Sequence, residues 1–308
     1  MEVRTAHLRS LAKVNLDLRV LHKRADGYHE LRTVFQTISL SDKIGVTYTP
    51  GSKTSIQIGG DVDIPGNLIE KAAKAILEVS KSKGLIHFDL NKVIPMGGGL
   101  GGGSSNAASV LLALPVLLGK HVPIVKLEEI AASLGSDVTF FLQGGTALGL
   151  GRGTELYPLP EIRTRQGWVV TPGIHVATGQ AYADLARNSV EIPAPASFQG
   201  FLWSLARGVL SGGVNDFEAV VYRKYRKLRL IHRLLAEAGA SYVRMSGSGS
   251  SIYAFFDGEG PDPSILEGYS AYAIETVSRR QYQKIWRRQL REHIIPGEIW
   301  PPQSRYVQ

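Results

Sequence analysis

Apolar and polar residues alternate from Leu8 to His22 and again from Leu31 to Thr47, a period of two that predicts two long strands. The polar turn Lys23-Arg24-Ala25-Asp26-Gly27-Tyr28-His29 joins them. From Asn67 to Ser80 the period becomes helical, with Leu68, Ala72, Ala75, Ile76 and Val79 on one face. Leu85 to Leu90 returns to strand spacing. The apolar run Ala107 to Leu114 predicts a helix opening near Ser104, and another helix follows from about Val125 to Leu134. Gly144 to Gly151 is a glycine-spaced strand or turn, and Tyr157-Pro158-Leu159-Pro160 marks a domain boundary. The second half restarts with the strand pattern Trp168 to Pro172. A helix is expected over Phe217 to Ala238, with Leu228, Ile231, Leu235 and Ala238 in phase. Strands at Tyr242 to Met245 and Ile252 to Phe256 flank a second glycine-serine turn, Ser246 to Ser251. The expected class is α+β, in two domains over 1–160 and 161–280 with a basic tail over 281–308.

The segment Ile94 to Ala108 packs six glycines into seven residues, then two serines, between a strand and a helix. Glycines let backbone N–H groups turn inward, and the following helix aims its positive end at the same space. That combination makes a cradle for a polyphosphate. A Walker A loop is excluded because no lysine follows the glycines. Gly97, Gly99 and Gly102 match a dinucleotide fingerprint formally, but the acidic residue expected about 20 residues on is missing, and Pro95 interrupts the tight turn. What remains is a long glycine-serine loop closed by two hydroxyls. A flexible linker would not be clamped between regular elements.

Composition narrows the function classes. The 308 residues are 44% hydrophobic and 20% charged, ordinary for a globular protein, and long enough for two cores. No apolar run approaches the ~20 residues of a membrane span, and the N-terminus opens no signal peptide, so a cytoplasmic protein without a membrane role is expected. The absence of cysteine removes disulfides, thiol catalysis and thiolate metal sites. The net charge of +8 is local: Arg279, Arg280, Lys284, Arg287, Arg288 and Arg291, opposed only by Glu292, account for five of the eight. A solvated helix face explains this better than nucleic-acid binding.

Ala12-Lys13-Val14-Asn15-Leu16, the loop Pro95 to Ala108, and Met245-Ser246-Gly247-Ser248-Gly249, in that order, resemble the GHMP kinase superfamily. Arg24 to Leu31, Leu134 to Phe141 and Asn215-Asp216-Phe217-Glu218 narrow the resemblance to the members acting on a cytidine diphosphate methylerythritol. The resemblance covers about residues 5 to 280. It implies a two-domain fold with the site in the cleft between domains, and ATP-dependent phosphorylation of that substrate's 2-hydroxyl in isoprenoid precursor synthesis. ATP and Mg²⁺ are the implied cofactors. The only implied partner is the small-molecule substrate, with the chain a monomer or weak homodimer.

From the residues alone, Asp137 reads as a helix N-cap or a site carboxylate, and Lys13 as a polar-face lysine or a paired buried cation. The resemblance makes Asp137 the base and Lys13 its partner. It gives the ATP phosphates to Pro95, Met96, Gly97, Gly98, Gly99, Leu100, Gly101, Gly102, Gly103, Ser104 and Ser105, with Ser104 or Ser105 within reach of the metal and Ser105 expected as its ligand. Asn67 and Lys92 match positions near the adenosine, or are simply a helix-start asparagine and an exposed lysine. Tyr28 and His29 are expected on the cytosine, Tyr182 on its opposite face or packed in a helix, and Asn15 on the erythritol hydroxyls.

Overall fold

The computed structural model describes residues 2–187, 197–258, 260 and 262–307. The two alternating segments are strands β1 (Arg4–Lys23) and β2 (His29–Pro50), paired antiparallel from Arg4 opposite Tyr48 to Lys23 opposite His29. The first part of β1 alternates, burying Ala6, Leu8 and Ser10, whereas Leu11 to Leu18 is buried on both faces. The change marks where the second half of the molecule packs on. Ala12, Val14 and Leu16 share a core with Val169, Tyr253 and Phe255 from that half.

Strand β3 (Ser55–Gly60) runs parallel to β4 (Gly84–Asn91), and β4 pairs with the far end of β2. The near end of β2 takes β5 (Thr146–Gly151), which pairs with β6 (Glu155–Pro158). Helices α1 (Leu68–Ser80), α2 (Gly102–Leu118), α3 (Ile124–Leu134) and the single-turn α4 (Ser136–Phe140) complete this half. Helix α2 is apolar all round, so it is buried against both the sheet and the other helices.

In the second half, β7 (Gln166–Thr171), β8 (Tyr242–Met245), β9 (Ile252–Phe256) and β10 (Ser270–Glu275) form an antiparallel sheet ordered β10-β7-β9-β8. Helices α5 (Thr178–Arg187), α6 (Phe198–Ala206), α7 (Phe217–Lys224) and α8 (Arg226–Glu237) pack with it.

Two expectations need correction. The helix expected over Phe217 to Ala238 is two helices, because Tyr225 at φ −119°, ψ 82° leaves the helical region. The expected tail is no tail. Helix α9 (Arg279–Gln289) starts at a capping box of Ser278 and Gln281 and buries Tyr282 and Trp286, with Leu290 and Ile294 beyond it, in the core of the first half. The chain then straps back across α2, with Trp300 Nε1 donating to the Leu142 carbonyl at 3.0 Å and Ser304 Oγ to that of Val116 at 2.7 Å. Most of its cations lie on the outer face of α9, since the apolar stripe faces inward. Among the described residues, no helix is long and apolar enough to cross a membrane.

Candidate active site

The glycine loop is anchored at its base by Asp42, which is fully buried. Its carboxylate accepts from the N–H groups of Val93 and Ile94 at 2.8 and 2.7 Å and pairs with Lys92 Nζ at 2.6 Å. Three successive loop carbonyls are also engaged: Gly98 with Ser251 N–H, Gly99 with Ser246 Oγ, and Leu100 with Lys13 N–H. The second glycine-serine turn is thus a brace for the first. At Gly99 (φ +76°) any side chain would force the two turns apart, because a Cβ there would lie 2.0 Å from the Ser246 carbonyl oxygen. At Gly101 (φ +70°) a Cβ would meet the Phe141 ring at 2.9 Å and Lys13 Cγ at 3.2 Å. Gly101 is the N-cap of α2 and offers no side chain, so the first N–H groups of that helix are left to an anion.

Below the loop a cleft of about 770 Å³ opens between the two halves, lined by Lys13, Asn15, Tyr28, His29, Asp137 and Tyr182 together with Gly99, Gly101 and Ser104. Lys13 Nζ lies 3.2 Å from Asp137 Oδ2 and donates to Asn15 Oδ1 at 2.7 Å. The lysine side chain is 4% exposed and the aspartate 31%. The ammonium is therefore fixed and shielded while its carboxylate partner remains reachable. Asp137 is not a cap: Gly135 holds that position in α4, leaving the carboxylate free of helix duty.

At the other end of the cleft, the His29 imidazole stacks on the Tyr182 ring at 4.5 Å and 14°, and Phe217 meets Tyr182 edge-on at 4.9 Å. No base fits between rings so close. The Tyr28 ring, in contrast, is 52% exposed, with the Arg152 guanidinium 3.6 Å from its centroid. Burial, aided by the nearby Lys23 charge, holds the His29 imidazole below its ordinary pKa, which favours the neutral ring. Burial and the Asp137 charge push the Tyr182 hydroxyl up to about 12.

One expected ligand is placed elsewhere. Ser105 faces the core: its hydroxyl donates to the Leu11 carbonyl at 2.6 Å and accepts from Ser10 Oγ at 2.7 Å, so it is closed to a metal. Ser104, one helical step away, lines the cleft instead. Lys92 is no exposed lysine; its ammonium is held under the loop by Asp42 and the Ile94 carbonyl. Asn67 caps α1, accepting from Ile69 N–H at 3.0 Å. Leu100 is buried under the loop and offers only its backbone, whereas Met96 is 63% exposed at the rim. Among the described residues no group of three or more His, Cys, Asp or Glu could hold a metal by itself.

Sequence reasoning missed Thr33, Arg152 and the bracketing role of Asn215. Asn215 Nδ2 donates to the Met245 and Gly247 carbonyls at 2.7 and 2.8 Å, tying the second glycine turn to α7. The Asn215-Asp216-Phe217-Glu218 motif carried that signal, but its partners lie 30 residues away.

This site, a helix-opening anion loop beside a lysine–aspartate pair, has the layout of a small-molecule phosphotransferase. Comparison with known proteins agrees. The GHMP kinases N terminal domain matches residues 67–145 and the GHMP kinases C terminal domain residues 196–274. The chain belongs to the GHMP kinase family. A 4-diphosphocytidyl-2-C-methyl-D-erythritol kinase from Solibacter usitatus is 50% identical over 98% of both chains. Another from Geobacter sulfurreducens is 40% identical over 82% of this chain and 90% of its own. A crystal structure of 4-(cytidine 5'-diphospho)-2C-methyl-D-erythritol kinase superposes with a TM-score of 0.73 at 35% identity, covering 88% of this chain and 98% of that one. Homoserine kinase from Cytophaga hutchinsonii, at 17% identity and a TM-score of 0.66 over 89% and 95% of the two chains, shares the fold.

Proposed function

We propose that the chain transfers the γ-phosphate of ATP to the 2-hydroxyl of 4-diphosphocytidyl-2-C-methyl-D-erythritol, giving the 2-phosphate and ADP. The observation that carries this reading is the Lys13–Asp137 pair in the same cleft as the glycine loop and the Tyr28, His29 and Tyr182 rings. Phosphoryl transfer to an alcohol asks chiefly for positioning and charge stabilisation. The loop and the N-terminus of α2 hold the triphosphate. Asp137 accepts the hydroxyl proton, and Lys13 keeps the carboxylate oriented while stabilising the developing alkoxide. Asn15 holds the erythritol hydroxyls from the same strand face. Tyr28 stacks on the cytosine and neutral His29 reads its edge, with Tyr182 behind the imidazole. Mg²⁺, when bound, would offset phosphate charge, and Ser104, whose residue lines the cleft, is the protein hydroxyl that would reach it.

A sister kinase acting on mevalonate, homoserine or a sugar is the competing reading. It has no use for an aromatic cluster at the far end of the cleft. A monomer or weak homodimer acting on a small molecule in the cytoplasm completes the reading. ADP release measured across these acceptors tests the proposal. Turnover confined to the cytidine diphosphate alcohol is expected; preference for mevalonate or homoserine would refute it.

A further inference from the structure

Behind the Lys13–Asp137 pair runs a chain of hydrogen bonds whose directions are fixed at both ends. Lys13 Nζ donates to Asn15 Oδ1 at 2.7 Å. Asn15 Nδ2 donates to Thr33 Oγ1 at 2.8 Å, and Thr33 Oγ1 donates to the Asp17 carbonyl at 2.7 Å. Lys13, Asn15 and Thr33 are all 3% exposed or less. An ammonium can only donate and a carbonyl can only accept. The hydroxyl proton of Thr33 must therefore point at Asp17, which leaves its oxygen to accept from Asn15. That in turn obliges the carboxamide to present its oxygen, not its NH₂, to the lysine. The strand ladder shifts register between Asn15 and Asp17, at the point where the Asp17 carbonyl takes the threonine hydroxyl.

We infer that Thr33 is a positioning residue for phosphoryl transfer: by fixing the orientation of the Asn15 carboxamide, it aims the Lys13 ammonium at Asp137. This deepens the kinase reading above and rests on it. The hydroxyl touches neither the ammonium nor the carboxylate, and acts only through Asn15. The surroundings leave the group little latitude. Thr33 lies in β2 opposite Leu18, and the Lys13 stem is confined by the glycine loop on one side and the Phe35 ring, 5.5 Å from the ammonium, on the other. With no acceptor behind it, the Asn15 NH₂ would be a buried orphan. Turning it toward solvent or toward the lysine would remove an acceptor from Lys13.

The test compares Thr33→Val, which keeps the shape and deletes the hydroxyl, with Thr33→Ser, which keeps the hydroxyl, each alone and in an Asn15→Ala background. Thr33→Val is expected to lower kcat roughly ten- to a hundredfold while KM for ATP stays within about twofold. Thr33→Ser should recover most of the loss. In the Asn15→Ala background the valine should add little, since the relay is already cut. A crystal structure of the Thr33→Val enzyme should show the carboxamide rotated and the Lys13 ammonium turned away from Asp137. Unchanged turnover, a serine variant as poor as valine, losses that multiply with Asn15→Ala, or an undisturbed lysine in the crystal would each overturn the inference. The crystal readout needs no acceptor: if the unmutated enzyme ignored the cytidine diphosphate alcohol, the kinase assignment would fall while the geometry still decided the relay.

Discussion

Substituting alanine at Gly99 puts the claim that the two glycine turns hold each other to a direct test. Gly99 sits at φ +76°, where an L-residue costs about 1–2 kcal/mol. The added Cβ would fall 2.0 Å from the Ser246 carbonyl oxygen, a backbone atom that no side-chain rotation can move aside. One turn must retreat, and the bonds from Ser246 Oγ to Gly99 (2.8 Å) and from Ser251 N–H to Gly98 (3.2 Å) go with it. At about 0.5–1.5 kcal/mol each, together with the backbone strain, the loss comes to roughly 2–5 kcal/mol. Gly103 is the control. It lies four residues along the same tract but inside α2, and a Cβ there has its nearest neighbour, Leu68 Cδ1, at 4.0 Å. Gly103→Ala should be neutral or stabilising by up to about 1 kcal/mol, because alanine suits a helix better than glycine. Urea unfolding followed by circular dichroism measures both. Equal stabilities for the two variants, or a silent Gly99→Ala, would refute the bracing argument.

Other expectations follow from the corrected ligand positions and from the imidazole. Ser105→Ala should cost about 1–2 kcal/mol in unfolding assays, through its lost bonds to Leu11 and Ser10, yet leave the Mg²⁺ concentration for half-maximal activity unchanged. Ser104→Ala should raise that concentration and leave stability alone; the reverse pattern would restore Ser105 as the metal ligand. With the His29 pKa depressed, KM for the acceptor should stay flat as pH falls to the ordinary imidazole value near ~6.5 and rise only below it. The same depression means the unfolded chain takes up that proton first, so the stability due to the neutral ring is present at high pH and declines as pH drops through the ordinary value. A KM already rising above that value, or rising equally in His29→Gln, would contradict this role for the ring.

Local pattern made the scaffold legible. Period-two alternation marked β1 and β2, and a glycine tract between a strand and an apolar helix marked the anion loop. What escaped was whatever depends on rotational phase or on distant partners. Adjacent serines on a helix point about 100° apart, and only the starting point of α2 at Gly102 decides that Ser105 faces Leu11 while Ser104 faces the cleft. Lys92 reads as exposed until Asp42, fifty residues earlier, is seen beneath it. The break at Tyr225 leaves the helical period intact on either side, so periodicity alone joined α7 to α8. The cations of α9 masked an apolar stripe of Tyr282, Trp286 and Leu290 at helical spacing, and a packed helix was read as a tail.

The proposed chemistry turns on Asp137, paired with Lys13 at 3.2 Å beside the glycine loop, taking the proton of the attacking alcohol. Rapid-quench single-turnover transfer from ATP to 4-diphosphocytidyl-2-C-methyl-D-erythritol, in the wild-type enzyme and in Asp137→Asn, isolates that step. The variant's rate should be lower by about 10²–10⁴-fold, with ATP affinity unchanged. A variant that transfers phosphate at close to the wild-type rate would show that the carboxylate is not the base.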